Sequence, residues 1–582
     1  MAMDNLLQEF PPVTTQSWEE AIRKDLKGAD YARKLIWQSE DGLAVKPYYR
    51  AEDTEGLEFP QAAPGDFPYA RGNRASGDWR IREQIDVADL EEANQAARSA
   101  LAAGAEEIAF SNKAIRDASD LRILLAGLEQ TPVHFDDAGE PLLRLSIAHL
   151  AARPRPAPIS TGFEPFASLD FAAEVVRAAP SAFVPFTFHG EELEESGATA
   201  VEEVGFALAA GIDYLAEMQA RHVEVDRAAP ALAFSFAMGA NFFFQIAKLR
   251  AFRMVWARAV EAFGGNRESG RARIHARTSR WTKTLYDPHV NILRAATEAM
   301  SAVLGGADSV SVAPFDECYK TADEASRRLA RNTQILLKKE AHLSRVADPG
   351  GGSYYLEFVT DFLAREAWKR MQEIEANGGY GKARADGRIA IALKQSMARR
   401  EEAVAARRRV FTGTNRYADP AEKALQRIEA SRPMGEPRGA QSYEQLRLRT
   451  ERHAAAGGKT PRVLLAEIGD AKMRAARSRF AADFFACAGF EIATRRFENA
   501  AEIAAGDAEL IVLCSSDPEY PELAAPLIAA LRALGRNTPV LIAGNPDSAP
   551  QLRAAGVADF VHLRSNPIEL LTAWQQKLGI KE

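Results

Sequence analysis

Val463-Leu-Leu-Ala-Glu-Ile-Gly469-Asp-Ala-Lys-Met-Arg-Ala-Ala-Arg-Ser-Arg-Phe-Ala481 passes from a short apolar run through a glycine into a longer helical pattern. A run of that length, closed by glycine, reads as a buried strand from Arg462 to Ala466 that feeds a helix. Glu491 to Phe497, Glu509 to Cys514, Val540 to Ala543 and Phe560 to Leu563 repeat the signal, with helical stretches between them. Strands alternating with helices predict a doubly wound, five-stranded α/β sheet of the flavodoxin-like kind over residues 461–582.

Upstream, residues 431–460 are rich in Gly, Pro, Arg and Ala and read as a linker. Over 36–430, short apolar runs again alternate with helical patterns. Glu107 to Phe110, Leu142 to Ser146, Phe183 to Phe188, Leu232 to Phe236 and Ser309 to Val312 read as strands, whereas Val201, Val204, Leu208, Ile212 and Leu215 recur at helical spacing. Repeated units over this length predict a TIM-like (β/α)8 barrel. Residues 1–35 form an N-terminal arm with one short helix, Ser17 to Gly28, for which Ser17 is the expected cap. Pro- and Gly-rich coil continues to about Gly72, so the arm is expected to lie on another surface.

The chain has 582 residues, a net charge of -7 and 26% charged residues. That balance gives no electrostatic footprint for nucleic acid. Cys318, Cys487 and Cys514 lack metal-ligand spacing and are expected as reduced thiols. With no targeting signal and no apolar stretch of membrane-spanning length, a cytoplasmic location is expected.

Stretches along the barrel resemble the acyl-CoA mutase family, in order. They are Phe67-Pro-Tyr-Ala-Arg-Gly72, Glu195-Ser-Gly-Ala-Thr199, Phe234-Ser-Phe-Ala-Met-Gly-Ala-Asn241, Ile246-Ala-Lys-Leu-Arg250, His275-Ala-Arg-Thr-Ser279, Leu304-Gly-Gly306, Ala330-Arg-Asn-Thr-Gln334 and Asp348-Pro-Gly-Gly-Gly-Ser-Tyr354. The resemblance implies a barrel followed by a cobalamin-binding-type sheet. In catalytic members a D-x-H-x-x-G loop after the sheet's first strand supplies the cobalt ligand. Aligned on Gly469, those positions are Ala471, Met473 and Ala476, with Asp470 one place early. Met473 offers a thioether and reads better as an adaptable core side chain than as a ligand.

The other family positions change as well. Trp79-Arg-Ile-Arg-Glu-Gln84 puts Gln84 where active members carry a radical-guiding Tyr. His189-Gly-Glu-Glu-Leu-Glu-Glu195 puts Glu192 where they carry a His near the substrate thioester, in what reads as an exposed acidic turn. Nothing resembles the T-V-Q-N-D segment or the Arg that meets the substrate carboxylate. Residues 151–171 are too short and Pro-rich for them. His275 keeps a family position but reads as a structural histidine, beside Arg277 and Arg280, which replace Gln and Gly. No catalytic, cofactor-binding or metal-binding residue is therefore expected on this chain.

This pattern is similar to the small subunit of heterodimeric methylmalonyl-CoA mutase. The resemblance implies a homologous large subunit as partner, with adenosylcobalamin in the holoenzyme bound by that partner and none on this chain. Neither nucleic acid nor membrane is expected as a partner. A barrel with no substrate channel to keep is expected to fill its interior with larger side chains. The alternative is a repurposed acyl-CoA-binding barrel acting alone, with Glu191, Glu192 or Glu195 as a general base.

Overall fold

Period-two alternation sets the barrel wall. In β1 (Arg80–Ile85), Ile81, Glu83 and Ile85 are buried while Arg80, Arg82 and Gln84 are half-buried. One set packs under helices and the other faces the interior. The computed structural model describes residues 13–111, 114–153, 157–429 and 437–581. Around β1 stand β2 (Glu107–Phe110), β3 (Val133–Phe135), β4 (Ile159–Thr161), β5 (Phe183–Val184), β6 (Phe186–His189), β7 (Leu232–Met238), β8 (Arg273–Thr278) and β9 (Ser309–Ser311). All neighbours pair in parallel, and β9 pairs with β1.

The nine-stranded sheet begins at β5 and ends at β6. Pro185 alone separates these two segments, and proline has no N–H to give the ladder. Counted as one interrupted strand, β5 and β6 close a TIM-like ring. One expected strand is a correction. Leu142 to Ser146 belong to the helix Glu140–Ala151, with Pro141 in its first turn and Leu142, Leu143, Ser146 and Leu150 buried. Those spacings of 1, 3 and 4 residues follow a helical stripe, which a five-residue apolar run conceals. The strands on either side, β3 and β4, are only three residues each.

The second sheet contains β10 (Arg462–Glu467), β11 (Glu491–Arg496), β12 (Leu510–Cys514), β13 (Val540–Ala543) and β14 (Asp559–Val561). It is parallel throughout, in the order β11-β10-β12-β13-β14. The stretch 431–460 is a further correction. Its first residues, 431–436, lie outside the described residues, but 441–455 form the helix Gln441–Ala455. Tyr443 and Leu446 of that helix share one apolar cluster with Trp281 of the barrel and Val463, Phe484 and Leu541 of the sheet. A wealth of charged residues hid this helix, because its buried face also carries Glu444, Arg447 and Glu451.

The arm's first helix, Thr15–Asp25, is capped by Thr14 rather than Ser17. Thr14 Oγ1 accepts the Ser17 N–H at 3.1 Å. Neither this helix nor Tyr31–Leu35 has a buried residue. The chain anchors itself just beyond, at Glu40 and Asp41. Asp41 Oδ1 accepts the Val201 N–H at 2.9 Å, in the first turn of the helix Ala200–Ala220. Glu40 accepts from Arg400 Nε at 3.0 Å and Arg409 Nη1 at 2.9 Å. Arg400 also donates to the carbonyls of Glu194 and Ala198, at 3.2 and 2.7 Å.

Arg400→Ala is expected to lower unfolding free energy by about 1–3 kcal/mol in denaturant titrations, because the carbonyls of Glu194 and Ala198 lose their donor, while the partly exposed Glu40 keeps Arg409. The Asp41 carboxyl is pushed up to about 6, by burial first and Glu40 second. Its folded value exceeds its unfolded one, so ionisation opposes folding as pH rises from about 4 through 6. Stability measured at pH 5 and pH 8 should therefore fall less for Asp41→Asn than for the natural chain, by about 1.4 kcal/mol.

Candidate functional site at the barrel mouth and sheet crevice

The interior residues of β1, β2, β3 and β8 meet across the barrel. Glu107 accepts from Arg80 Nε at 2.6 Å and Arg82 Nε at 2.7 Å. Burial would raise its carboxyl, but Arg82 and Arg80 together hold it at about 2. His134 lies 2.8 Å from Ser160 Oγ through Nδ1 and 3.1 Å from Asp136 Oδ1 through Nε2. Burial and the neighbouring Arg82 lower its pKa, so the ring is neutral near pH 7, with Nε2–H assigned to Asp136.

Gln84 Nε2 donates to Ser111 Oγ at 2.5 Å and to Asp136 Oδ2. An amide tied to two anchored acceptors cannot relay a hydrogen atom as a phenol can. His275 places Nδ1 2.9 Å from Ser309 Oγ. Burial, reinforced by Arg82 and His134, lowers its pKa well below the usual range, and the ring is neutral. The structure therefore places His275 as a neutral ring hydrogen-bonded to its neighbouring strand.

The interior differs from the expected filling by larger side chains. Ser160, Thr187, Ala233, Ser235 and Ser309 occupy interior registers beside Arg82, Glu107, His134 and His275. Small residues and ion pairs line it, whereas a barrel core is ordinarily layered with branched apolar side chains. The physical reason is mutual: each buried charge has a partner, so none can be replaced alone without stranding the other.

Above β6 the acidic run is the short helix Gly190–Glu195, with its four glutamates facing different ways. Glu191 pairs with His189 Nδ1 at 3.0 Å, and His189 Nε2 donates to the Gly162 carbonyl at 2.8 Å. Burial would lower the His189 pKa, but Glu191 raises it to about 10, so this histidine is an imidazolium. Glu192 is exposed and lines a cleft of about 180 Å³ with Phe188, Tyr380, Arg384 and Leu393. Gln84 and His275 are not among the walls of that cleft. Glu194 is buried, accepting from Ser279 Oγ at 2.9 Å. The run is thus an exposed turn only at Glu192.

In open α/β sheets ligands bind beyond the carboxyl ends of the strands, where strand order reverses. Here that place lies between β10 and β12, and side chains cross it. Asp470 Oδ1 accepts the Met473 N–H at 2.8 Å, which makes Asp470 the cap of the helix Ala471–Ala486. Glu519 accepts from Ser515 Oγ and Ser516 Oγ, both at 2.6 Å, and from the Asp470 N–H. A Cβ built on Gly469, at φ +76°, would stand 2.6 Å from Glu519 and Ser515. Arg477 donates to Asp517 at 2.9 Å and lies beside Gly544 of the next loop.

These residues do not fit the cobalt-bearing cofactor that the resemblance implies. Met473 is half-buried in the first helical turn, and Ala471 carries no carboxylate to orient a ligand. His453 and His562 are the nearest histidines in sequence, and His562 Nδ1 already accepts the Arg564 N–H at 3.1 Å. The sequence reading missed Glu40, Asp41, Arg400 and Arg409 at the mouth. Their partners are up to 369 residues apart, and no local pattern signals such pairs.

A family model described as methylmalonyl-CoA mutase matches residues 38–114 and 167–482. The unmatched interval, residues 115–166, includes most of the Pro-rich stretch in which nothing resembling the carboxylate-binding segment is found. The methylmalonyl-CoA mutase small subunit of Porphyromonas gingivalis is 36% identical, covering 99% of each chain. The small subunit of Streptomyces virginiae is 33% identical over 99% of this chain and 98% of that one. The large subunit from the same Streptomyces is 31% identical over 78% of this chain and 69% of its own length. The parallel barrel, the second parallel sheet and matches that run nearly end to end agree: this chain belongs to the methylmalonyl-CoA mutase family and resembles its small subunits.

Proposed function

We propose that this chain is the non-catalytic small subunit of a heterodimeric methylmalonyl-CoA mutase. Its partner is a homologous large subunit that binds adenosylcobalamin and interconverts methylmalonyl-CoA and succinyl-CoA by a radical rearrangement. The observation that carries the reading is the first turn of Ala471–Ala486, where Asp470 caps the helix at Met473 and a thioether, not an imidazole, stands at the aligned position. Gln84 fastened to Asp136 and Glu192 turned to an outer cleft support it from the barrel. In this reading the second sheet is a flavodoxin-like, cobalamin-binding-type domain without its cofactor, consistent with strand order β11-β10-β12-β13-β14. In this reading the complex works in the cytoplasm. No helix among the described residues is long and apolar enough to cross a membrane.

Purified alone, the chain is expected to leave the visible spectrum of adenosylcobalamin unchanged and to show no mutase turnover. Co-expressed with a large subunit carrying an intact D-x-H-x-x-G loop, it should co-purify in stoichiometric amount, with activity and cobalamin found in the pair. Turnover by the lone chain would overturn the reading.

The double variant Ala471→Asp with Met473→His is expected to remain inactive in the same assay, since Gln84 and Glu192 are unchanged. Activity above background in that variant would show that the loop alone had silenced the chain.

A further inference from the structure

The cleft beside β6 has a volume of about 180 Å³. A cavity of about 150 Å³ already accommodates a benzene ring. Phe188 at the end of β6, Leu193 of the helix Gly190–Glu195, and Ile389 and Leu393 of the helix Arg388–Ala405 supply apolar walls. Apolar walls interrupted by a few polar groups are the usual make-up of a small-molecule site.

Two polar groups in those walls are unused. Tyr380, in the helix Gly379–Ala385, is 4% exposed, and its ring centroid lies 5.8 Å from those of both Phe166 and Phe188. Among the described residues its hydroxyl makes no hydrogen bond, although a phenol buried to this extent ordinarily finds a partner. Burial pushes the phenol up to about 12, Arg384 opposes the rise, and Glu164 and Glu192 add to it. The hydroxyl therefore keeps its proton and lies in the field of the charged groups around the cleft. Glu192 is exposed, lines the same cleft, and has neither a hydrogen bond nor an ion pair among the described residues.

The cations nearby are already engaged. Arg384 Nη1 donates to Glu164 Oε2 at 2.9 Å, and the His189 imidazolium is paired with Glu191 at 3.0 Å. Glu164, Glu191 and Glu192 against Arg384 and His189 leave one negative charge, and it resides on Glu192.

We propose that this cleft binds a small organic ammonium ion, a protonated primary amine on an apolar body of about the size of a benzene ring. The ammonium group donates one N–H to the Glu192 carboxylate and another to the Tyr380 oxygen. The apolar body packs on Phe188, Leu193, Ile389 and Leu393. An anion is disfavoured, because it would have to draw Arg384 away from Glu164. The site is built from this chain's own residues, and its existence depends neither on cobalamin nor on the assignment of the chain as a mutase subunit.

The test titrates the full-length chain with benzylamine, a cation at neutral pH. Benzyl alcohol and benzoate keep the ring and are neutral and anionic. Binding is read by calorimetry and saturation-transfer NMR at low ionic strength, where an exposed carboxylate is least screened. Benzylamine should bind saturably with a dissociation constant of about 1 mM. Benzyl alcohol should bind about tenfold more weakly and benzoate not at all. Glu192→Gln keeps the side-chain shape and removes the charge, so it should weaken benzylamine about tenfold and leave benzyl alcohol unchanged. Tyr380→Phe keeps the ring contacts and removes the hydroxyl, so it should weaken benzylamine about threefold to tenfold. Absence of saturable benzylamine binding up to about 10 mM overturns the proposal. Equal affinities for benzylamine and benzyl alcohol, or undiminished benzylamine affinity in either folded variant, overturn it too. Folding is checked by circular dichroism. Should Tyr380→Phe fail to fold, the variant at the exposed Glu192 decides.

Discussion

Arg400 ties the arm, the barrel mouth and the second sheet to one another. Its guanidinium is buried and can be desolvated only because every direction around it is answered. Glu40 answers from the arm, the carbonyls of Glu194 and Ala198 answer from the loops above β6, and the face of Trp281 lies 5.4 Å away. Arg409 presses on the same ring at 4.2 Å and shares Glu40. Trp281 in turn belongs to the apolar cluster that contains Val463 and Phe484 of the sheet domain. Moving any one of these parts would strand a buried charge, which costs more than a surface ion pair ever contributes.

That knot occupies the face of the barrel where enzymes of this architecture place their chemistry. Several residues of the loops there help to hold the molecule together. Glu194 is engaged with Ser279 and sits beside Arg400, while Glu191 is held by His189. The sheet crevice follows the same logic on a smaller scale, with Glu519 gathering the hydroxyls of Ser515 and Ser516 and the Asp470 N–H. A site can lose its function by losing one residue. Here polar groups of the crevice are partnered with one another, so protein side chains cross the place where open α/β sheets bind their ligands.

Local pattern carried much of the fold. β13 matches its expected run residue for residue, and β10, β12 and β14 lie within one or two residues of theirs. Glycine closure and apolar runs are short-range signals, and a buried parallel strand expresses both. The failures have equally physical causes. Leu142 to Ser146 is too short a run to separate strand from helix, and Gln441–Ala455 buries charges that composition reads as solvent-exposed. At the candidate site, the altered positions Gln84, Glu192, Ala471 and Met473 were legible by resemblance alone. What holds them was not, because the partners Asp136, Ser111 and Tyr380 are distant in sequence and named by no motif.

The polar barrel interior is the strongest constraint on how such a chain can change. An apolar core would give the same rigidity with fewer specific contacts, and the expectation of larger interior side chains rested on that idea. Yet Glu107 is held by two arginines from the neighbouring strand, and His134 bridges Ser160 and Asp136. Replacing Arg82 alone takes away one of the Glu107 carboxylate's two arginines and exposes it to the full effect of burial. Replacing Glu107 alone leaves Arg80 and Arg82 facing each other. Only simultaneous exchange of the whole set would reach an apolar core without passing through an unstable intermediate. The interior therefore stays charged for reasons of stability, whether or not any ligand passes through it.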